Sequence, residues 1–326
     1  MDFSAPIPDS PAQRYIPDES LSFGQGLWQI LKDVFAQISP KLREASGICL
    51  SIMAVIIMVS VVKGISDCAV SPAELAAVCM IGIMLLRTST SLLQLGSQTV
   101  NELSEYSKLL LPVMTGALAA QGGLTASAAL YTGTTVFVGI LTWLITHIVT
   151  PLLYALSAVS IAVSALGGEL LKELEKFIKW LMLWMLKLTI YIFTGYLGIT
   201  GVVSGTTDAA TLKATKLAVS GVIPVVGNII SDASDAVIQS AAVLKNTAGV
   251  YGIWAITVIL AEPFITVGIH YLLLKFTASV CAVFGKGGAA ALVKRFSSLL
   301  GYILGLIGSV CIMLLIGVVS FMKGMS

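Results

Sequence analysis

The amino-acid sequence predicts an all-α, polytopic integral membrane protein. It should have about six or seven transmembrane helices, with broken or re-entrant segments and amphipathic helices between them. Three observations lead there. Hydrophobic residues make up 57% of the 326 and charged residues 11%, against roughly 45–50% and about 25% in soluble domains. Mean hydropathy is +0.96. Apolar runs recur along the whole chain near the ~20 residues that a helix needs to cross a bilayer.

Residues 1–20 carry Pro6, Pro8, Pro11 and Pro17, which block regular helix. Leu27, Ile30, Leu31, Val34, Ile38 and Leu42 then fall at helical spacing. Trp28 and Phe35 flank this stripe, and Lys32, Asp33 and Lys41 take the other face. Two readings stand, a membrane-surface helix or a helix packed on the rest of the protein. Residues 1–46 are thus an extramembrane tail with an amphipathic helix, and 47–326 a polytopic membrane domain.

Gly47–Val62 is the first span, edged by Lys41, Arg43 and Lys63. Ala73–Leu86 is shorter, and the polar run Thr88–Lys108 either extends it as helix or lies along the membrane. Leu109–Leu130 follows, broken by Pro112, Gly116 and Gly122-Gly123. Thr134–Leu166 lacks any charge, and Thr150-Pro151 divides it into two spans or a span and a half-helix. His147 is read as a proton relay or as an interhelical hydrogen bonder.

Gly167–Lys179 pairs Glu169/Lys172, Glu173/Lys176 and Glu175/Lys179 on an exposed extramembrane face, with Leu170, Leu171, Leu174, Phe177 and Ile178 as the opposite stripe. The next span runs to about Val203 and contains Lys187. Its Gly195, Gly198, Gly201 and Gly205 would let another helix approach closely. Thr247–Leu274 is interrupted at Glu262-Pro263 and carries His270. Glu262 is either an intramembrane functional group partnered by Lys187 or the acid beside a first-turn proline of a new helix. The last span, Leu299–Met322, offers Gly301 and Gly305 as a packing face. Lys286, Lys294 and Arg295 before it predict a cytoplasmic loop.

Between these lies Thr211–Gly252. Its apolar pieces are too short to span, and it holds Pro224, Gly227, Asn228, Asp232, Asp235, Lys245 and Asn246. Such backbone is tolerated at membrane depth only when buried in protein or lining a wet cavity. These seven residues are therefore the candidate pathway or partner-docking lining. Two amphipathic surface helices are the alternative. Pro112-Val113 and Pro224-Val225, like Thr150-Pro151 and Glu262-Pro263, recur at one offset. This points to repeats at about 73–166 and 180–285, inverted if each holds an odd number of spans.

Other chemistry is not expected. A net charge of +2 without a basic cluster gives no footprint for nucleic acid. The five cysteines lack a C-x-x-C pair, which argues against a disulfide framework or a metal site. There is no H-E-x-x-H, G-x-S-x-G or Walker-A motif. Neither an enzyme nor a cofactor is expected, and energy for any transport would come from a partner or an ion gradient.

Ile223-Pro224-Val225-Val226-Gly227, Ser231-Asp232-Ala233, Asp235 and Lys245-Asn246 resemble the signature region of the stage III sporulation protein AE family of endospore-forming bacteria. Leu109–Ala129 resembles its other recognisable block, and the order of apolar segments fits from about Leu27 onward. The resemblance implies the membrane core of a channel joining mother cell and forespore, acting as conduit or assembly platform in the mother-cell-derived membrane. It also implies sibling subunits, a secretion-type ATPase and ring-forming proteins. Apart from the resemblance, the lipid bilayer and further copies of the chain are expected as partners. Family precursors carry a cleavable leader, whereas the opening here has no apolar stretch of signal length. Either a leader has been removed or the first membrane helix serves for insertion. A secondary transporter coupled through Glu262, Lys187 or the two aspartates, and a purely structural scaffold, remain as rivals.

Overall fold

A computed structural model describes residues 23–36, 38–65, 72–120, 124–199, 247–284 and 287–324. Helices account for nearly all of them: α1 (Phe23–Ala36), α2 (Ile38–Ile65), α3 (Pro72–Ala120), α4 (Leu124–Leu144), α5 (Thr150–Leu166), α6 (Glu169–Ile199), α7 (Thr247–Phe284) and α8 (Gly288–Gly324). Six helical stretches among them are long and apolar enough to cross a membrane, with α4 and α5 counting as one. α2 is continuous through residues 46 and 47.

α8 is the most enclosed of the six. Its Ile303, Leu304, Ile307, Val310 and Leu314 are buried among α3, α4, α5 and α7. An apolar helix gains little by hiding from lipid, so close packing rather than solvent exclusion has to hold this centre. Glycine serves that packing at Gly301, where a Cβ would stand 3.1 Å from the ring of Tyr271, and at Gly317, 3.0 Å from Thr134. Around Gly305 and Gly195 a Cβ would meet nothing within 4 Å. Gly198 lies within α6, and Gly201 outside the described residues.

Helix directions follow from these contacts. The amide of Gly288 donates to Glu74 Oε1 at 2.7 Å, and Gly96 packs on Ile303 and Ile307, so α3 and α8 run parallel. Ser164 lies beside Gly288 and Thr134 beside Gly317, so the α4–α5 rod runs against α8. α7 does the same, since Gly252 near its start meets Leu110 near the end of α3. Glu175 meets Arg295, and Tyr196 meets Gly133, which sets α6 parallel to α8. One end of the bundle thus gathers Gly167 with the starts of α3, α6 and α8. The other gathers Trp254 with the ends of those helices.

Three expectations change. Pro112 and Thr150-Pro151 do not divide their segments. α3 runs straight through Pro112. Before Pro151 the backbone widens into a π-turn, Ile145–Val149, in which the Thr150 amide reaches back to the Ile145 carbonyl. That wider turn accommodates the proline ring inside a continuous rod. Next, the rods carrying Pro151 and Pro263 run in the same direction, not the inverted one. Finally, residues 167–179 are no separate surface helix but the first turns of α6. Its charge pairs form as expected, Lys172 to Glu169 at 2.7 Å and Lys176 to Glu173 at 2.6 Å. However, Leu170 (88% exposed), Leu174 and Phe177 face outward while Glu175 turns inward, buried against Lys179 and Arg295.

Candidate functional site: a polar cluster between three helices

α2 buries one face, Ala45, Cys49, Ile52 and Ile56, at spacings of three and four. Lys41 stands one turn before Ala45, in phase with that stripe. Its ammonium therefore points into the bundle rather than along the surface. It donates to Glu262 Oε1 at 2.8 Å and to Thr266 Oγ1 at 2.7 Å, both on α7. Farther along, Cys49 lies against Thr277, so α2 and α7 run in parallel.

On α7 the polar groups recur every fourth residue: Glu262, Thr266, His270. Thr266 Oγ1 also donates to the Glu262 carbonyl at 2.7 Å. His270 is buried, and its Nδ1 sits 2.9 Å from the Thr266 carbonyl. A carbonyl only accepts, so Nδ1 carries a proton and neutral His270 would keep Nε2 as an acceptor. Pro263 is embedded in the same helix and supplies no amide to the carbonyl four residues back. Helix α7 continues through it, so Glu262 does not head a new helix.

From α3, Glu102 comes within electrostatic range of Glu262. The cluster therefore holds one lysine on Glu262, with a threonine hydroxyl and an imidazole alongside and a second carboxylate, Glu102, in electrostatic range of Glu262. With both acids ionised and His270 neutral, negative charge exceeds positive by one. Such a set can lock α2 to α7, and it can take up a proton or small cation at the second carboxylate.

Glu262 is thus partnered by Lys41 and not by Lys187. Lys187 lies on α6, which packs on α4 and α5 and away from α7. His147 is exposed. Its Nδ1 lies 2.8 Å from Thr146 Oγ1 and 3.2 Å from the Trp143 carbonyl, and its ring stacks on Trp143, all within one helical rod. It makes no interhelical bond among the described residues. Pro224, Gly227, Asn228, Asp232, Asp235, Lys245 and Asn246 lie outside the described residues. Sequence reasoning missed Lys41, Thr266 and Glu102. The four-residue period on α7 and the phase of Lys41 were the available signals.

A family model described as stage III sporulation protein AE matches residues 16–324. Stage III sporulation protein AE of Bacillus subtilis (strain 168) is 25% identical over 217 residues, 67% of this chain and 54% of that protein. The match thus spans about half the length of that relative. No solved structure matches.

Proposed function

The chain belongs to the stage III sporulation protein AE family, and from that premise we propose that it is the membrane core subunit of a channel-like complex between mother cell and forespore. It sits in the mother-cell-derived membrane around the forespore as the conduit or the platform on which partner subunits assemble. A secretion-type ATPase and ring-forming proteins are the partners this reading calls for. The chain itself performs no catalysis, and energy comes from the ATPase. The observation that carries the reading is a bundle of six membrane-length helices among the described residues, with an ion pair that ties the first turn of α2 to the middle of α7.

Deleting the chain in its sporulating host tests this. Engulfment should complete, after which late forespore reporters fail and heat-resistant spores are lost. Normal spore yield from the deletion strain overturns the proposal. The secondary-transporter reading has one supporting observation, a second carboxylate, Glu102, within electrostatic range of Glu262. Under that reading Glu102→Gln, Asp232→Asn and Asp235→Asn each abolish function while the protein still accumulates. Under the platform reading all three are mild.

A further inference from the structure

The outward face of α3 changes character along its length. Near its start it presents Met80, Ile83 and Met84, as a lipid-facing helix does. From there it presents Arg87, Ser91, Gln94, Gln98, Asn101, Glu105 and Lys108, all exposed. Their spacing is 4-3-4-3-4-3, a single seam along the helix. Glu105 and Lys108 neutralise each other at 2.6 Å. Among the described residues, none hydrogen-bonds the side chains of Gln94, Gln98 or Asn101.

This seam lies at the depth of apolar surface. Gly96 abuts Ile303 and Ile307, and Leu110 abuts Gly252, which sets residues 96–110 beside the most apolar half of α8. Thr134 against Gly317, and Tyr196 against Gly133, bring α4 and α6 to that same half. There α4 and α6 expose Val136, Ile140, Trp184, Leu188 and Ile192. One band of the molecule is therefore greasy on two helices and lined with amides on a third. Lipid tails cannot satisfy those amides.

We propose that this seam of α3 is where copies of the chain meet, a second copy laying its own α3 against it. Asn and Gln each donate and accept, so an identical face satisfies them, and such amides join membrane helices. Copies in one membrane share an orientation, so the seams meet in parallel with like residues at like heights. The Glu105–Lys108 pair is internally neutral, and the remaining charge on the seam is Arg87 at its near end, four residues before the first of its polar uncharged side chains. A polar path then runs between copies rather than through one. The inference rests on α3 alone and stands apart from the sporulation reading.

The test uses the full chain in native membranes, with Cys49, Cys68, Cys79, Cys281 and Cys311 replaced. Gln94→Cys, Gln98→Cys and Asn101→Cys are treated with a short bis-maleimide, with Leu188→Cys and Ile140→Cys as lipid-facing controls. Covalent dimers should form at the three seam positions and not at the controls. In parallel, Gln98→Leu/Asn101→Leu should weaken self-association about tenfold, read as a shift toward monomer mass by light scattering in detergent. Dimers no more abundant than in the controls overturn the proposal. So does free reaction of the seam cysteines with a water-soluble maleimide without crosslinking, which would make the seam a wet groove. Seam cysteines that neither crosslink nor label also overturn it, because something other than a second copy then covers them.

Discussion

At the scale of single residues, the Lys41–Glu262 pair is the interaction most exposed to test. A fully buried pair broken on one side costs about 3–5 kcal/mol. Glu262 remains a third exposed, so Lys41→Met should cost about 2–3 kcal/mol, as the stranded carboxylate still reaches some polar surroundings. Adding Glu262→Gln should restore most of that loss, because a neutral amide needs no counter-charge. Thermal unfolding in detergent separates the two variants, and a double variant as unstable as the single one refutes the tie. Lys187→Met should stay within about 0.5 kcal/mol of the parent. That contrast marks the limit of sequence reading here. An ionisable residue inside an apolar run identifies itself, so Glu262 was visible. Its partner lies 221 residues away, and Lys41 looked like a span edge because its phase with Cys49 and Ile52 has meaning only once that stripe is known to face inward.

At the scale of the helix, glycine content alone did not locate the packing. A Cβ at residue 301 would press on Tyr271 at 3.1 Å, whereas residues 305 and 195 have open space. Gly301→Ala should therefore destabilise by about 1 kcal/mol through overpacking. Gly305→Ala and Gly195→Ala should instead gain about 0.5–1 kcal/mol of helix propensity. Three melting curves decide it, and equal behaviour at all three positions contradicts the packing described. The apolar runs and charge pairs were legible as helices. What was not legible was which side of α6 faces in. Amphipathic spacing made Leu170 and Phe177 the buried face, but Arg295 draws Glu175 inward and turns them out. Proline misled for a related reason. A π-turn before Pro151 and continuous packing around Pro263 carry the helix across residues that read locally as boundaries.

At the scale of the molecule, the Glu175–Arg295 contact joins two basic stretches that sequence order keeps apart. Lys172 and Lys176 of α6 lie at the same end as Lys294 and Arg295 of α8. By the positive-inside rule both predict a cytoplasmic location for that end, with the starts of α2 and α7 and the ends of α3, α6 and α8 on the opposite side. A phosphatase fusion after residue 324 should then be active and a fluorescent-protein fusion there dark; the reverse pattern overturns this orientation. The enclosure of α8 also bears on manufacture. Among the described helices, the one that fills the centre is made after the others, so the described spans before it wait in the bilayer around a vacant slot. Their packing is then sealed by α8, and a chain interrupted before it has nothing to close around. A stop codon replacing Gly288 should yield a product that insertion machinery accepts but quality-control proteases clear. Steady accumulation of that shortened chain would mean the outer helices hold one another without their axle.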